Sequence, residues 1–303
     1  MKRRPAGAFR LHKPVLLDSI LSQLALSPGQ AVLDLTVGSG GHAGAILQRI
    51  RPDGLLIGLD QDEEAIERTR SRLEKTGGRF ILERSNFRDL NQVLSRLNFH
   101  KVHAVLLDAG VSSEQLEHPG RGFSFQSESP LDMRMDVRKD ITAAQLIAHT
   151  SAEELASIFY KYGEERFSRR IARAIVNERA RKPIETTGEL REIVAGAVPA
   201  RFRFGLIHPA TRAFQALRIV VNDELGALEE ALPKAFGALE PAGRLAVVSF
   251  HSLEDRIVKR FFVAEKQAGQ GTIITKKPIR PDEEEIRENP RARSAKLRVI
   301  ERN

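Results

Sequence analysis

Residues 31–44, Ala31-Val-Leu-Asp-Leu-Thr-Val-Gly-Ser-Gly-Gly-His-Ala-Gly44, restrict the fold of this chain more than any other segment. An apolar run that ends in an acid and turns through glycines into a helix is the opening of a doubly wound α/β sheet. There Gly38, Gly40 and Gly41 let the backbone turn tightly and lie against a ligand that no side chain could approach. The alternation continues with a helix over 15–26, strand 31–36, helix 41–50, strand 55–60, helix 63–75, strand 79–83 and, after a short helix, strand 102–108. Such alternation predicts a parallel sheet. Ligands of these sheets sit at the carboxyl ends of the strands, and Asp34, Asp60, Asn86-Phe87 and Asp108 all fall at or just beyond those ends.

The loop alone does not name the ligand, because Gly38-Ser-Gly40-Gly41-His42-Ala43 also satisfies the dinucleotide pattern GxGxxG/A. Asp34 tips the balance: a carboxylate closing the first strand repels a pyrophosphate and attracts the ammonium of a methionine tail. S-adenosylmethionine carries that ammonium, a cationic sulfonium and no phosphate. Asp60 lies 22 residues after Gly38, where an acid accepts ribose hydroxyls from either kind of cofactor. The competing reading has both acids doing no more than capping the helices that follow.

At 303 residues the chain can bury a substantial core. Without cysteine it has neither disulfides nor thiolate metal sites, which suits a reducing compartment. No apolar run reaches the roughly 18 residues of a membrane span, and the basic start Met1-Lys-Arg-Arg4 is not followed by a signal-type stretch. A soluble cytoplasmic protein is expected. Lysine and arginine number 48 against 40 acids, a net +8, which points to a polyanionic partner. From Ile193 to Asn222 there is no acid, while Arg201, Arg203, Arg212 and Arg218 alternate with Phe202, Phe204 and Phe214. Guanidinium groups for phosphates beside rings for bases make an RNA surface; alternatively the rings are core and the arginines a solvated rim.

After Ser113 the pattern changes. A loop-like segment to Asp140 precedes three capping-box signatures, Thr142/Gln145, Ser151/Glu154 and Thr186/Glu189, and the basic stretch Glu164–Lys182 reads as a helix among them. A helix near 211–239, a Pro-Ala-Gly turn at 241–243 and a strand over 243–250 return to the sheet. The division expected is therefore a discontinuous α/β domain, 1–112 and 211–303, interrupted by a helical substrate-recognition insertion, 113–210. The tail from Gly269 reads as a flexible or loosely docked basic arm, with 295–300 as a last strand. His12, His42, His208 and His251 follow no ligand spacing such as HExxH, so no metal is expected.

Four blocks are more specific than the glycine loop. They are Leu107-Asp-Ala-Gly-Val-Ser-Ser-Glu-Gln115; Arg121-Gly-Phe-Ser-Phe125 with Pro130-Leu-Asp-Met-Arg-Met-Asp136; His208-Pro-Ala-Thr-Arg-Ala-Phe-Gln-Ala-Leu-Arg218 with Val221-Asn-Asp-Glu224; and Ser249-Phe-His-Ser-Leu-Glu-Asp-Arg256. With His12-Lys-Pro-Val-Leu-Leu17 and Asn289-Pro-Arg-Ala-Arg-Ser-Ala-Lys-Leu-Arg298, nearly the whole chain resembles the RsmH (MraW) family. These are S-adenosylmethionine-dependent methyltransferases acting on the exocyclic N4 of one cytosine in 16S ribosomal RNA of the bacterial small subunit.

The resemblance implies a Rossmann-like α/β methyltransferase sheet with an inserted all-helical domain. It implies cofactor contacts at Gly40, Gly41, His42, Asp60, Phe87, Asp108 and Gln115, beside Asp34 and Gly38 from the loop itself. Its substrate would be 16S rRNA within the small subunit, with a homodimer left open. Ala109 and Glu117 depart from the residues usual in the family, which touches packing alone. Amino-methyltransferases of DNA carry an Asp/Asn-Pro-Pro-aromatic turn where this chain has Asp108-Ala-Gly-Val-Ser-Ser113, so the clamp on the amine must be built otherwise. Asp108 with Ser112 is the expected pair orienting or polarising that amine; the rival reading has Asp108 touching only cofactor. Arg134, Arg212 and His251 are the expected RNA contacts, or else internal ion-pair and capping groups. A nicotinamide-dependent oxidoreductase and a non-catalytic RNA-binding assembly factor are the alternatives.

Overall fold

A computed structural model describes residues 14–118, 120–205 and 207–303; His12 and the basic start Met1–Arg4 lie outside them. Helix α1 (Leu17–Leu24) precedes strand β1 (Ala31–Asp34), and α2 (Gly41–Ile50) leads to β2 (Leu55–Asp60). Then come α3 (Glu63–Thr76), β3 (Arg79–Arg84), α4 (Leu90–Arg96) and β4 (Val102–Asp108). Helices α5 (Ser113–Glu117), α6 (Ala143–His149), α7 (Ala152–Gly163), α8 (Ser168–Arg179), α9 (Thr187–Ala197) and α10 (Ala210–Asn222) follow, with no intervening strand among the described residues. The chain ends with α11 (Glu224–Gly237), β5 (Leu239–Ser249), α12 (Ser252–Gln267), β6 (Gly271–Ile273), α13 (Glu283–Glu288) and β7 (Lys296–Arg302).

The sheet runs β3-β2-β1-β4-β5-β7-β6, parallel through β5, with β7 antiparallel to both neighbours. Successive strand residues face opposite sides. Val32, Leu56, Leu106 and Val248 pack with α1, α2 and α3, whereas Leu33, Ile57, Val105 and Val247 pack with α4, α11 and α12. Strands covered on both faces read as continuous apolar runs, which is why 55–60 and 102–108 stood out in the sequence. The strand order reverses between β1 and β4, and that reversal opens a crevice above their carboxyl ends.

Helices α6 to α10 build a second core around Leu155, Phe159, Ile171, Leu190, Phe214 and Leu217. The capping boxes expected at Thr142, Ser151 and Thr186 all form. Three expectations are corrected. The helix anticipated over 211–239 is two helices, broken at Asp223 in the left-handed region (φ 52), and α10 buries Phe214, Leu217 and Val221 in the helical core, so 211–222 packs with the insertion. The 241–243 turn is an irregularity inside β5, with Ala242 at φ 62. The basic tail is docked: Glu285 Oε1 accepts the Leu16 N–H at 2.6 Å, and Arg298 and Lys296 both bind Asp255, at 2.7 and 3.0 Å. β7, with residues 297–300 all buried between two partner strands, anchors the tail despite its surrounding charge.

Candidate functional site

The crevice is a cavity of about 370 Å³ whose walls include Gly38, Gly41, His42, Asp60, Phe87, Asp108, Ser112 and Gln115. It lies within the size range of small-molecule sites. The glycine loop is held from two sides: Asp60 Oδ2 accepts the Gly38 N–H at 2.9 Å, and the Thr69 hydroxyl donates to the Gly38 carbonyl at 2.9 Å. Gly40 sits at φ 75, and a Cβ there would lie 3.2 Å from Thr69 Cα; a Cβ on Gly41 would lie 2.4 Å from Pro14 Cγ. Gly40 and Gly41 therefore admit no side chain without displacing their neighbours.

The acids are arranged unevenly. Asp34 is fully buried and is not a wall residue; its Oδ1 accepts the Thr36 N–H at 3.1 Å and its Oδ2 has no partner. The direct contact with cofactor expected of Asp34 is thereby corrected: Leu35, Thr36 and Val37 form the wall, and Asp34 lies behind them. Burial, reinforced by Asp60, pushes its carboxyl up to about 7 against the Thr36 hydrogen bond. Asp60 is pushed by burial to about 6, restrained by the Asp62 and Gly38 N–H groups. Asp108 is pushed furthest, to about 8, by burial and then by Asp34 and Glu254; its Oδ1 has no partner, while its own N–H donates to Thr36 Oγ1 at 2.7 Å.

His42 faces this group. Its Nε2 lies 2.9 Å from the Val15 carbonyl and must donate there, so the unprotonated Nδ1 points at Asp108 Oδ2, 3.5 Å away. Burial lowers its pKa to about 4. Phe87 follows β3 on a one-turn 3-10 helix capped by Asn86, and its ring closes the wall beside Leu228. Gln115 donates to Asp62 Oδ2 at 2.9 Å and accepts the Ser112 N–H at 3.1 Å, tying α5 to the start of α3.

Other expected residues are sorted differently. The Ser112 oxygen accepts the Gln115 N–H at 3.1 Å as the cap of α5, so it positions Gln115 before anything else. Arg134 is corrected from an RNA contact to an internal brace: Nε and Nη2 fork onto Asp132 at 2.8 Å each, and Nη1 donates to the Val137 and Lys139 carbonyls. His251 is the N-cap of α12, its Nδ1 accepting the Glu254 N–H at 3.3 Å, and it is not a wall residue. Arg212 is exposed outside the cavity, with Nη1 on the Glu164 carbonyl at 3.1 Å.

Sequence reasoning missed Thr36 and Thr69, and Arg218, expected on an RNA surface, is corrected to an ion-paired group at the far wall of the cavity. There Arg218 forks onto Glu224, at 2.8 Å for both bonds, beside Glu254. Glu254 Oε2 accepts the Phe250 N–H at 2.7 Å, and its Oε1 lies 3.0 Å from His251 Nε2. The His251-x-x-Glu254 spacing was the available signal, hidden because histidine is an unusual cap. Glu224, His251 and Glu254 bring ligand atoms within 4.8 Å of one another. However, the guanidinium of Arg218 already occupies both oxygens of Glu224, so the cation at that wall belongs to the chain itself.

A profile described as the MraW methylase family matches residues 10–303. A curated relative from Heliobacterium mobile, named ribosomal RNA small subunit methyltransferase H, is 49% identical over 307 residues, covering 96% of this chain and 98% of the relative. Proteins of the same name from Syntrophotalea carbinolica and Heliobacterium modesticaldum are 49% and 50% identical, each again covering 96% of this chain and 98% of its own length.

Proposed function

Because this chain belongs to the MraW methylase family, we infer that it transfers the methyl group of S-adenosylmethionine to small-subunit ribosomal RNA, at the exocyclic N4 of one cytosine of the 16S species. The observation that carries the reading is a buried carboxylate oxygen without a donor at the cavity wall, Asp108 Oδ1, with the buried Asp34 behind that wall at the β1/β4 reversal. Unpaired buried acceptors are costly, and a cationic ligand is what relieves them. A pyrophosphate would deepen the same repulsion, so the dinucleotide reading finds no support here.

When bound, S-adenosylmethionine supplies an electrophilic methyl on a sulfonium that leaves as a neutral thioether. The chain's own residues hold and shield it. Gly38, Gly40, Gly41 and His42 offer backbone to its amino-acid end, Asp60 accepts the ribose hydroxyls, Phe87 covers the adenine, and Gln115 closes the wall near the reacting end. Asp108 Oδ1 accepts an N4–H of the target base, orients the amine lone pair along the transfer line and receives the proton released after transfer. Ser112 supports this by fixing Gln115. Substrate is the assembled small subunit in the cytoplasm, with Arg212 on its path; among the described residues no helix is long and apolar enough to cross a membrane.

Labelled methyl transfer to small subunits purified from cells lacking this activity tests the reading. N4-methylcytidine in the digested rRNA is the expected product, and its absence overturns the assignment. Asp108→Ala separates the two roles of that carboxylate. A fall in turnover of about a hundredfold or more with unchanged donor affinity supports the amine role, whereas lost affinity alone restricts Asp108 to the cofactor.

A further inference from the structure

The helical insertion carries an exposed aromatic that the reaction centre does not use. Phe204 is 94% exposed, and Ile207 beside it is 58% exposed. The other rings of this acid-free stretch are accounted for: Phe214 is buried in the helical core and Phe202 packs against it. A phenylalanine left in water forgoes roughly 2 kcal/mol of burial, which is common for a single residue and uninformative by itself.

What distinguishes Phe204 is the packing and charge of its base. Phe202 sits between two guanidinium groups, Arg166 at 3.9 Å and Arg201 at 4.8 Å from its ring centre, and contacts Phe167 at 5.3 Å. Arg203 donates to the Val198 and Gly196 carbonyls at 2.8 and 2.9 Å, bracing the turn against the end of α9. On the return side His208 stacks on Phe125 at 4.9 Å and its Nδ1 accepts the Ala210 N–H at 3.1 Å. Arg166, Arg201 and Arg203 are all exposed, and none forms an ion pair among the described residues. The ring is thus presented on a braced, cationic tip.

We propose that this tip is an RNA-docking surface on which Phe204 stacks with an unpaired ribonucleotide base while Arg166 and Arg201 contact the adjoining phosphates. The chemistry is that of single-strand readers, where a ring tolerates any base and guanidinium groups follow the backbone. Preorganisation lowers the ordering cost of binding. The proposal rests on the assignment of ribosomal RNA as substrate and adds a second point of contact, outside the cavity.

The test compares wild type, Phe204→Ala, Phe204→Trp and Arg201→Ala in binding a fluorescent single-stranded RNA, in binding naked 16S rRNA, and in methylating small subunits. Donor affinity is measured on each variant as the control for folding. Phe204→Ala should weaken both RNA interactions about tenfold with donor affinity and salt slope unchanged, and Phe204→Trp should restore them. Arg201→Ala should lower the salt slope by about one. Unaltered RNA affinity in Phe204→Ala overturns the proposal. So does a defect confined to assembled subunits and absent on naked rRNA, which assigns the tip to a ribosomal protein. Failure of wild type to transfer methyl at all is a different result and strikes the functional assignment instead.

Discussion

His42 Nδ1 faces Asp108 Oδ2 at 3.5 Å with the protonation of an ordinary ion pair reversed. Burial lowers the imidazole to about 4 and raises the carboxyl to about 8, so near neutrality both are uncharged in the ligand-free protein. A positive ligand changes this, because its field favours the ionised carboxyl. Donor binding is therefore expected to ionise Asp108.

Donor affinity should rise with pH. Asp60, Asp34 and Asp108 titrate near about 6, 7 and 8 in the free site, and below those values each must lose a proton before it carries the negative charge that a cation's field favours. Affinity is expected to climb between about pH 6 and 8 and then level off. Calorimetry at pH 7 in buffers of different ionisation enthalpy should register proton release on binding; a heat independent of buffer contradicts this.

Stability of the ligand-free protein should move the other way. Asp34 carries 3.8 as its ordinary value and about 7 when folded, so between these values the folded state holds a proton that the unfolded state has lost. Its contribution is present below about pH 4 and is lost as pH rises through 7. Asp34→Asn should accordingly melt higher than wild type at pH 8, by a few kcal/mol at most, and about equally at pH 4. Equal melting at both pH values would show that Asp34 does not titrate in this window.

Gly41→Ala should weaken donor binding through the cavity mouth. Its Cβ would stand 2.4 Å from Pro14 Cγ, and Pro14 and Val15 are wall residues pinned by His42. Overpacking of this kind costs about 1–3 kcal/mol. A drop of roughly tenfold or more in donor affinity is expected by titration, together with a lower melting temperature.

Arg218→Met should destabilise strongly, on the order of 3 kcal/mol, because it leaves the largely buried Glu224 without its cation. Adding Glu224→Gln should recover much of that loss. Chemical denaturation of both variants measures the coupling, and independent, additive losses would refute the pairing.

Much of the fold was legible because its signals are local. The run 31–34, the glycines at 38, 40 and 41, and the boxes at Thr142, Ser151 and Thr186 depend on residues within a few positions of one another. The break at Asp223 was not legible, since apolar spacing continues through it and only the packing of α10 away from α11 demands it. The docked tail escaped for the same reason: Glu285 and Leu16 are 269 residues apart, and nothing near either announces the bond.

The order of residues alone determined the sheet, the glycine turn and the placing of acids at strand ends, because backbone geometry and hydrophobic periodicity act over short range. Tertiary structure alone decided which of those acids reaches the cavity, as with Asp108 at its wall and Asp34 behind it. It also turned Arg134 inward and Phe204 outward, through burial and hydrogen bonding between segments far apart in the chain. Charge state followed the same division: a carboxylate is written in the sequence, but whether it holds its proton depends on the solvent and charges that folding leaves around it.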